Sequence, residues 1–230
     1  MDENSLRLEV ATCCRLAEYM GFFDFSGHIS ARLGDTDTIL INGRDKVRST
    51  LGPQDMVKTN LKGESLEKGA QPPSEVHIHT AIYRRRPDVK AVAHLHSPSI
   101  IALSGAGKAF VPVIYRASVF ADGVPVYDDC RGVSSAERGD ALAETLGQRR
   151  AVIIRSHGSV AVAESVKAVF YTSLYLEENA RHLLTIYSMG EPKVLRKEEL
   201  EEGNSQWFWN PRLFDKVWNY YTDKAGLSSK

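Results

Sequence analysis

Residues 89–97 read VKAVAHLHS, a run of small and branched apolar side chains that has the character of a buried strand. Such a strand needs cover on both faces, yet this one carries two imidazoles. Side chains two apart on a strand point to the same face, so His94 and His96 project together while Leu95 faces the other way. Two imidazoles fixed side by side on a rigid strand form a half-site for a divalent transition metal. They are equally compatible with strand-end histidines bonded to backbone or water. Residues 151–159, AVIIRSHGS, repeat the theme. A second branched run ends in His157, with Gly158 directly after it. Both histidine-bearing ends fall at the carboxyl edge of a strand, where α/β sheets place their sites. Three histidine ligands leave a coordination position open for substrate or water, as a catalytic metal requires.

The rest of the chain alternates helix and strand patterns. Residues 4–20 place apolar side chains at helical spacing up to Gly21, and 23–34 and 36–43 alternate as strands, the second closing in an Asn-Gly turn. A short strand follows in 51–64. The segment PPSEVHIHTAIYRRRPDV predicts a helix with Ser74 as cap, Glu75 at its positive end, Arg84 to Arg86 at its negative end and Pro87 as terminator. Helices are also expected from SPSIIALSGAGKAF, GDALAETLG and residues 165–187, whereas 122–140 read mostly as loop. RAVIIRSHG (150–158) reads as a strand, and residues 159–164 receive no element. Interleaved strands and helices make the class α/β. No linker-like shift in composition divides the 230 residues, so residues 1–230 are expected to form one domain, with an aromatic tail over about 203–230.

Composition narrows the function classes. Lys+Arg and Asp+Glu balance at 29 each, which speaks against a broad nucleic-acid footprint. No apolar run is long enough to suggest a membrane span. The acidic start is unlike a secretory signal, and three cysteines, two of them adjacent, do not make a disulfide framework; a reducing cytoplasm is the expected compartment. GAGK at 105–108 lacks the remaining residues of a phosphate loop, and neither H-E-x-x-H nor C-x-x-C occurs. Near a metal, Glu75 could accept and return a proton at a carbon beside a bound carbonyl; alone, it is an ordinary carboxylate in a helix's first turn. His79 lies one turn after Glu75 and fits a supporting role, His77 is angled away, and His182 reads as a plain helical residue.

In order, SGHISARL (26–33), INGRDKVRSTLGPQDMV (41–57), PPSEVHIHTAIYRRRPDVKAVAHLHS (72–97) and SHGSVAVAESVKAVFYTSLYLEENAR (156–181) resemble the class II aldolase/adducin superfamily. The resemblance implies a three-layer α/β/α sandwich around a mostly antiparallel central sheet. It also implies a cytoplasmic homotetramer with sites between neighbouring subunits, a tail that can pack on a neighbour, and a small-molecule substrate. It assigns His94, His96 and His157 as ligands of one divalent transition metal per subunit, with Glu75 as acid/base or further ligand. Zinc or manganese leads, and iron or cobalt is the alternative, because three imidazoles accept all of them.

In the sugar-phosphate enzymes of that superfamily, three small loops hold the phosphate. The matching positions here are Gly27-His28, Asn42-Gly43 and Pro73-Ser74. Proline offers neither hydroxyl nor N–H to an anion, and His28 is a bulkier, titratable ring. Gly27, Asn42, Gly43 and Ser74 remain substrate-binding candidates, joined by Arg44 and Arg48, whose guanidinium groups suit a carboxylate. The G-H pair resembles the decarboxylase branch. The expected function is therefore a metal-dependent carbon–carbon lyase, a decarboxylase of a small aromatic or hydroxy/keto carboxylic acid acting through a metal-chelated enolate. Glu75 and His28 are the proton-handling candidates. The alternatives are an aldolase, epimerase or dehydratase on a sugar phosphate or hydroxy-keto acid, with Tyr115, Tyr220 or Tyr221 as proton donor, and a non-catalytic adducin-like assembly protein.

Overall fold

The computed structural model describes residues 2–227. Helix α1 (Glu3–Tyr19) is capped by the Asp2 side chain and stops at Gly21, whose φ of +72° is the left-handed backbone that glycine adopts without steric cost. Strands β1 (His28–Arg32), β2 (Thr38–Asn42) and β3 (Met56–Asn60) form an antiparallel meander. Helix α2 (Val76–Arg85) then leads into β4 (Ala91–Leu95) and α3 (Pro98–Gly105). The second half contributes β5 (Val126–Tyr127), α4 (Ala136–Leu146), β6 (Ala151–Ile154), β7 (Gly158–Ala163) and the long α5 (Val166–Met189). Helices α6 (Lys197–Glu202) and α7 (Pro211–Lys224) complete the chain.

The seven strands run in the order β3-β2-β1-β4-β7-β6-β5, and every pairing is antiparallel except β5 with β6. Alternation along each strand divides two apolar layers. Ile29, Ala31, Ala91, Ala93 and Ala161 face a layer built with α1, α3, α5 and α7. Val92, Val160 and Val162 face α2 and α4. This is the expected three-layer α/β/α sandwich around a mostly antiparallel sheet. Alanines dominate the α5 side because a small side chain lets that buried helix lie close against the sheet. Among the described residues no helix is long and apolar enough to cross a membrane.

Three local expectations change. Residues 158–163 form β7, which pairs with both β4 and β6. His157 therefore sits in a tight turn between two strands. The supposed loop 122–140 contains β5 and the first turn of α4, capped by Ser135. Ser74 does not cap α2: Glu75 occupies the cap position, its side chain makes no capping bond, and a backbone turn from Pro73 O to Val76 N starts the helix. The aromatic tail folds back on its own chain. Phe214, Val217 and Trp218 are buried, Trp218 packs edge-on to Phe170 of α5, and Phe214 lies 5.1 Å from Tyr171.

Candidate metal centre

Register brings the histidines together. Strand β1 pairs with β4 so that His28 lies opposite His94, on the sheet face toward α2. His96 follows on the same side just past the end of β4. His157 arrives from the β6–β7 turn, where Ser156 takes a positive φ of 55° and its N–H is held by Ser104 Oγ at 3.0 Å. Gly158 has to be glycine: a Cβ there would stand 2.2 Å from the Leu95 carbonyl oxygen. That close approach brings the turn against the end of β4, beside His96.

Donor atoms of Glu75, His94, His96 and His157 all lie within 4.8 Å of one another. The Nε2 atoms of His94 and His96 are 3.1 Å apart, and Glu75 Oε2 is 3.5 Å from His94 Nε2 and 3.9 Å from His157 Nε2. The other nitrogens of the strand pair are committed elsewhere. His94 Nδ1 faces the Ser159 carbonyl at 3.1 Å, which only accepts, so Nδ1 carries a proton and Nε2 is the nitrogen turned to the cluster. His96 Nδ1 faces Asp24 Oδ1 at 3.0 Å and Ser26 Oγ at 3.1 Å. A carboxylate or carbonyl behind each of these two imidazoles is the arrangement that orients metal-binding histidines, whereas His157 Nδ1 is buried without a hydrogen-bond partner among the described residues. Three imidazoles and a carboxylate with donor atoms gathered on one point fit a divalent transition metal.

The electrostatics agree. Burial alone would raise the carboxyl of Glu75, but the hydrogen bond and charge of His94, the Val133 N–H at 2.7 Å and His157 hold it down to about 2, so it stays ionised. Burial and the neighbouring imidazoles push His96 below its ordinary value, and burial does the same to His157. Neutral imidazole and ionised carboxylate are the ligating forms. Asp24 is likewise held at about 2: burial would raise it, and His96 and Ser26 outweigh that.

The remaining candidates divide. His28 is fully buried beside this cluster, its ring centroid 4.9 Å from that of His94. Gly27 and Gly43 are joined by Arg48, but not as foreseen. Arg48 is 5% exposed and donates from Nε to the Gly27 carbonyl at 2.8 Å and from its terminal nitrogens to the carbonyls of Gly43, Lys46 and Arg44. Its guanidinium is spent on the chain's own loops rather than offered to a substrate. Asn42 is buried too, its carbonyl accepting the Ile29 N–H at 2.9 Å. Arg44 is exposed and docks Nε on the Pro72 carbonyl, and Ser74 is exposed nearby in sequence. Tyr115 is 42% exposed and packs edge-on to Phe208. Among the described residues no contact joins it to the histidines of its own chain. Tyr220 and Tyr221 meet edge-to-face in α7.

Sequence reasoning missed Asp24, Ser26, Ser159 and Val133, which hold the ligands in place. Two of these act through the backbone, where side-chain identity carries no information. It also missed the partners of His79, which lies between His28 and Ser30. There a pattern was available: Ser30 is two residues after His28 on a strand, and Tyr83 is four after His79 on a helix, so each pair shares a face.

Comparison with known proteins places this geometry. The pattern that defines the Class II Aldolase and Adducin N-terminal domain matches residues 8–184. The chain is 35% identical over 203 residues to a 3,4-dihydroxyphthalate decarboxylase of Rhodococcus jostii, covering 82% of this chain and 83% of that one. It is 32% identical over 151 residues to a 5-deoxy-D-ribulose 1-phosphate aldolase of Bacillus thuringiensis, covering 65% and 70%. In fold it superposes on an L-fuculose 1-phosphate aldolase from Glaciozyma antarctica with a TM-score of 0.84 at 18% identity, over 97% of this chain and 91% of the other. By sequence over most of its length and by fold over nearly all of it, the chain belongs to the class II aldolase and adducin family, on its metal-dependent lyase side.

Proposed function

We infer that this chain is a metal-dependent decarboxylase of a small hydroxylated aromatic or hydroxy/keto carboxylic acid. The observation that carries this is the convergence of His94, His96, His157 and Glu75 with a further imidazole, His28, beside them. The 35% identity to a 3,4-dihydroxyphthalate decarboxylase over four-fifths of both chains supports the same reading.

A divalent ion held by the three Nε2 atoms and Glu75, zinc or manganese ahead of iron or cobalt, supplies Lewis-acid stabilisation of negative charge developing on a substrate oxygen. Such stabilisation is worth several kcal/mol where water is excluded. Glu75, ionised and tied to Val133 N–H and His94, serves as a ligand that lowers the charge of the site. His28 handles the substrate proton. Arg44, anchored through Nε to Pro72, has its terminal nitrogens left to pair with a carboxylate. Gly27, Gly43 and Ser74 line the approach, with Asn42 and Arg48 bracing the loops beneath. Gly27 is also required by packing, since a Cβ there would run into the Phe23 ring.

Tyr115 enters only if copies of the chain assemble, because its own fold leaves it exposed and packed on Phe208. A homotetramer with sites between neighbouring subunits brings such a residue to a partner's centre. Three free cysteines, two of them buried, suit a reducing cytoplasm.

The second reading is an aldolase on a sugar phosphate, favoured by the 32% identity to the ribulose-phosphate enzyme. One experiment separates them. Purified protein with its metal measured is offered dihydroxybenzene dicarboxylates and ketose 1-phosphates, and CO2 and aldehyde are both assayed. CO2 release that is lost in His96→Ala together with the metal supports decarboxylation. Aldehyde release without CO2 overturns it.

A further inference from the structure

Behind His28 runs a chain of buried polar groups that the chemistry above does not use. His28 Nδ1 lies 2.7 Å from His79 Nε2, and His79 Nδ1 lies 2.6 Å from Ser30 Oγ. Ser30 Oγ is in turn 2.9 Å from the Tyr83 hydroxyl. That hydroxyl sits 3.1 Å from the Ser30 carbonyl and 3.5 Å from the Lys90 carbonyl. All four residues are buried, none more than 2% exposed.

The protons in this chain can be counted. A carbonyl oxygen only accepts, so the tyrosine proton alone can bridge Tyr83 to the backbone. The contact between Ser30 Oγ and Tyr83 is then left to the serine proton. With that proton used, the contact between Ser30 and His79 is filled only by a proton on His79 Nδ1. His79 is fully buried, has no carboxylate among its hydrogen-bond partners, and is pushed by burial down to about 3, so it carries one proton and no more. Its Nε2 therefore accepts, and the last contact is filled from His28 Nδ1. Every other assignment of one proton per group leaves at least one of these close contacts without a proton.

We propose that Tyr83, Ser30 and His79 are positioning residues that fix His28 as the Nδ1–H tautomer, so that it meets the site with an unprotonated Nε2. This rests on the reading of His28 as the group that handles the substrate proton, and it deepens that reading. His28 is a proton acceptor on arrival of substrate, not a donor. The substrate it fits offers a hydroxyl hydrogen to Nε2, a phenol or enol beside the metal-bound oxygen position. The same chain explains why His28 of β1 and His79 of α2 are tolerated in the interior between sheet and helix: each is satisfied by the next.

The test uses full-length zinc-loaded protein with 15N-labelled histidine, read by solid-state 15N NMR, with a His28→Asn sample to assign the His28 signals by difference. The expected spectrum has His28 Nδ1 as the protonated nitrogen. A His28 with the proton on Nε2 and none on Nδ1 overturns the proposal. In Tyr83→Phe the anchoring proton is gone and the serine proton is free to turn toward His79. Part of the His28 population then moves to the other tautomer while metal stoichiometry is unchanged, and kcat falls roughly tenfold, a fraction of what acid–base catalysis contributes. An unchanged tautomer in folded Tyr83→Phe overturns the role of the chain. The wild-type spectrum needs no turnover, so it stands apart from the decarboxylase reading. Normal turnover by His28→Asn removes the catalytic role of His28 and leaves the tautomer assignment intact.

Discussion

Two single residues away from the metal do much of the organising. Asp24 sits in an Asx turn, accepting from Ser26 N at 2.7 Å and Ser26 Oγ at 2.8 Å while it faces His96 Nδ1. Removing a carboxylate in that position usually costs 10–100-fold in metal affinity. Asp24→Ala is therefore expected to weaken zinc binding by roughly tenfold or more, measured by competition with a chromophoric chelator, and Asp24→Asn to weaken it less because an amide oxygen can still accept. Arg48 is the second. Its buried guanidinium satisfies carbonyls from the Gly27 loop and the 43–46 loop, and burial lowers its own proton affinity. Arg48→Met keeps the bulk but orphans those acceptors, so a loss of about 2–4 kcal/mol in urea unfolding is expected. Metal stoichiometry should be retained. A variant that unfolds like wild type would return Arg48 to the substrate.

At the scale of elements, the site depends on how closely β4 and β7 approach. Gly158→Ala places a methyl group against the Leu95 carbonyl, and backbone cannot swing aside as a side-chain tip can. Overpacking of this kind costs about 1–3 kcal/mol. Because His157 and His96 flank the point of contact, the variant is expected to bind metal more weakly as well, read by thermal unfolding with and without zinc. The same locality explains what the sequence could and could not reveal. The paired imidazoles of β4 were legible because a strand's two-residue period is strict and the run around them is apolar. Strand β7 was not, because Gly158–Ala163 carries mostly small side chains whose strand character comes from being buried between β4 and β6. The cap of α2 was misread for a related reason. Ser74 has the local chemistry of a cap, but Glu75 is drawn toward His94 and Val133, groups distant in sequence that only the fold brings near. The bracing role of Arg48 was not legible because a buried arginine and a ligand-binding one look alike until the surrounding carbonyls are seen.

For the molecule as a whole, buried neutral histidines set its response to acid. His79 has its proton affinity lowered from 6.5 to about 3, by burial first and by the charge of His94 next. In the unfolded chain the same imidazole takes up a proton near its ordinary value. Between those limits the unfolded state binds more protons than the folded one, so stability rises with pH and is lost as pH falls below 6.5. Glu75, lowered from 4.5 to about 2, acts in the same sense but only below pH 4.5. In the window from pH 6.5 to 4.5 His28, also pushed down by burial, adds to His79, while Glu9 and Glu177, raised above 4.5 by burial, act in the opposite sense at its acid end. One fully neutral buried histidine contributes a slope of up to about 1.4 kcal/mol per pH unit there. Urea unfolding of metal-free protein is expected to show stability rising with pH through the upper part of this window. In His79→Gln, which cannot titrate, the slope should fall by about that amount whatever the variant does to stability at pH 7. An unchanged slope would mean that His79 already takes up its proton in the folded chain, and the proton count that runs from Tyr83 to His28 would fail with it.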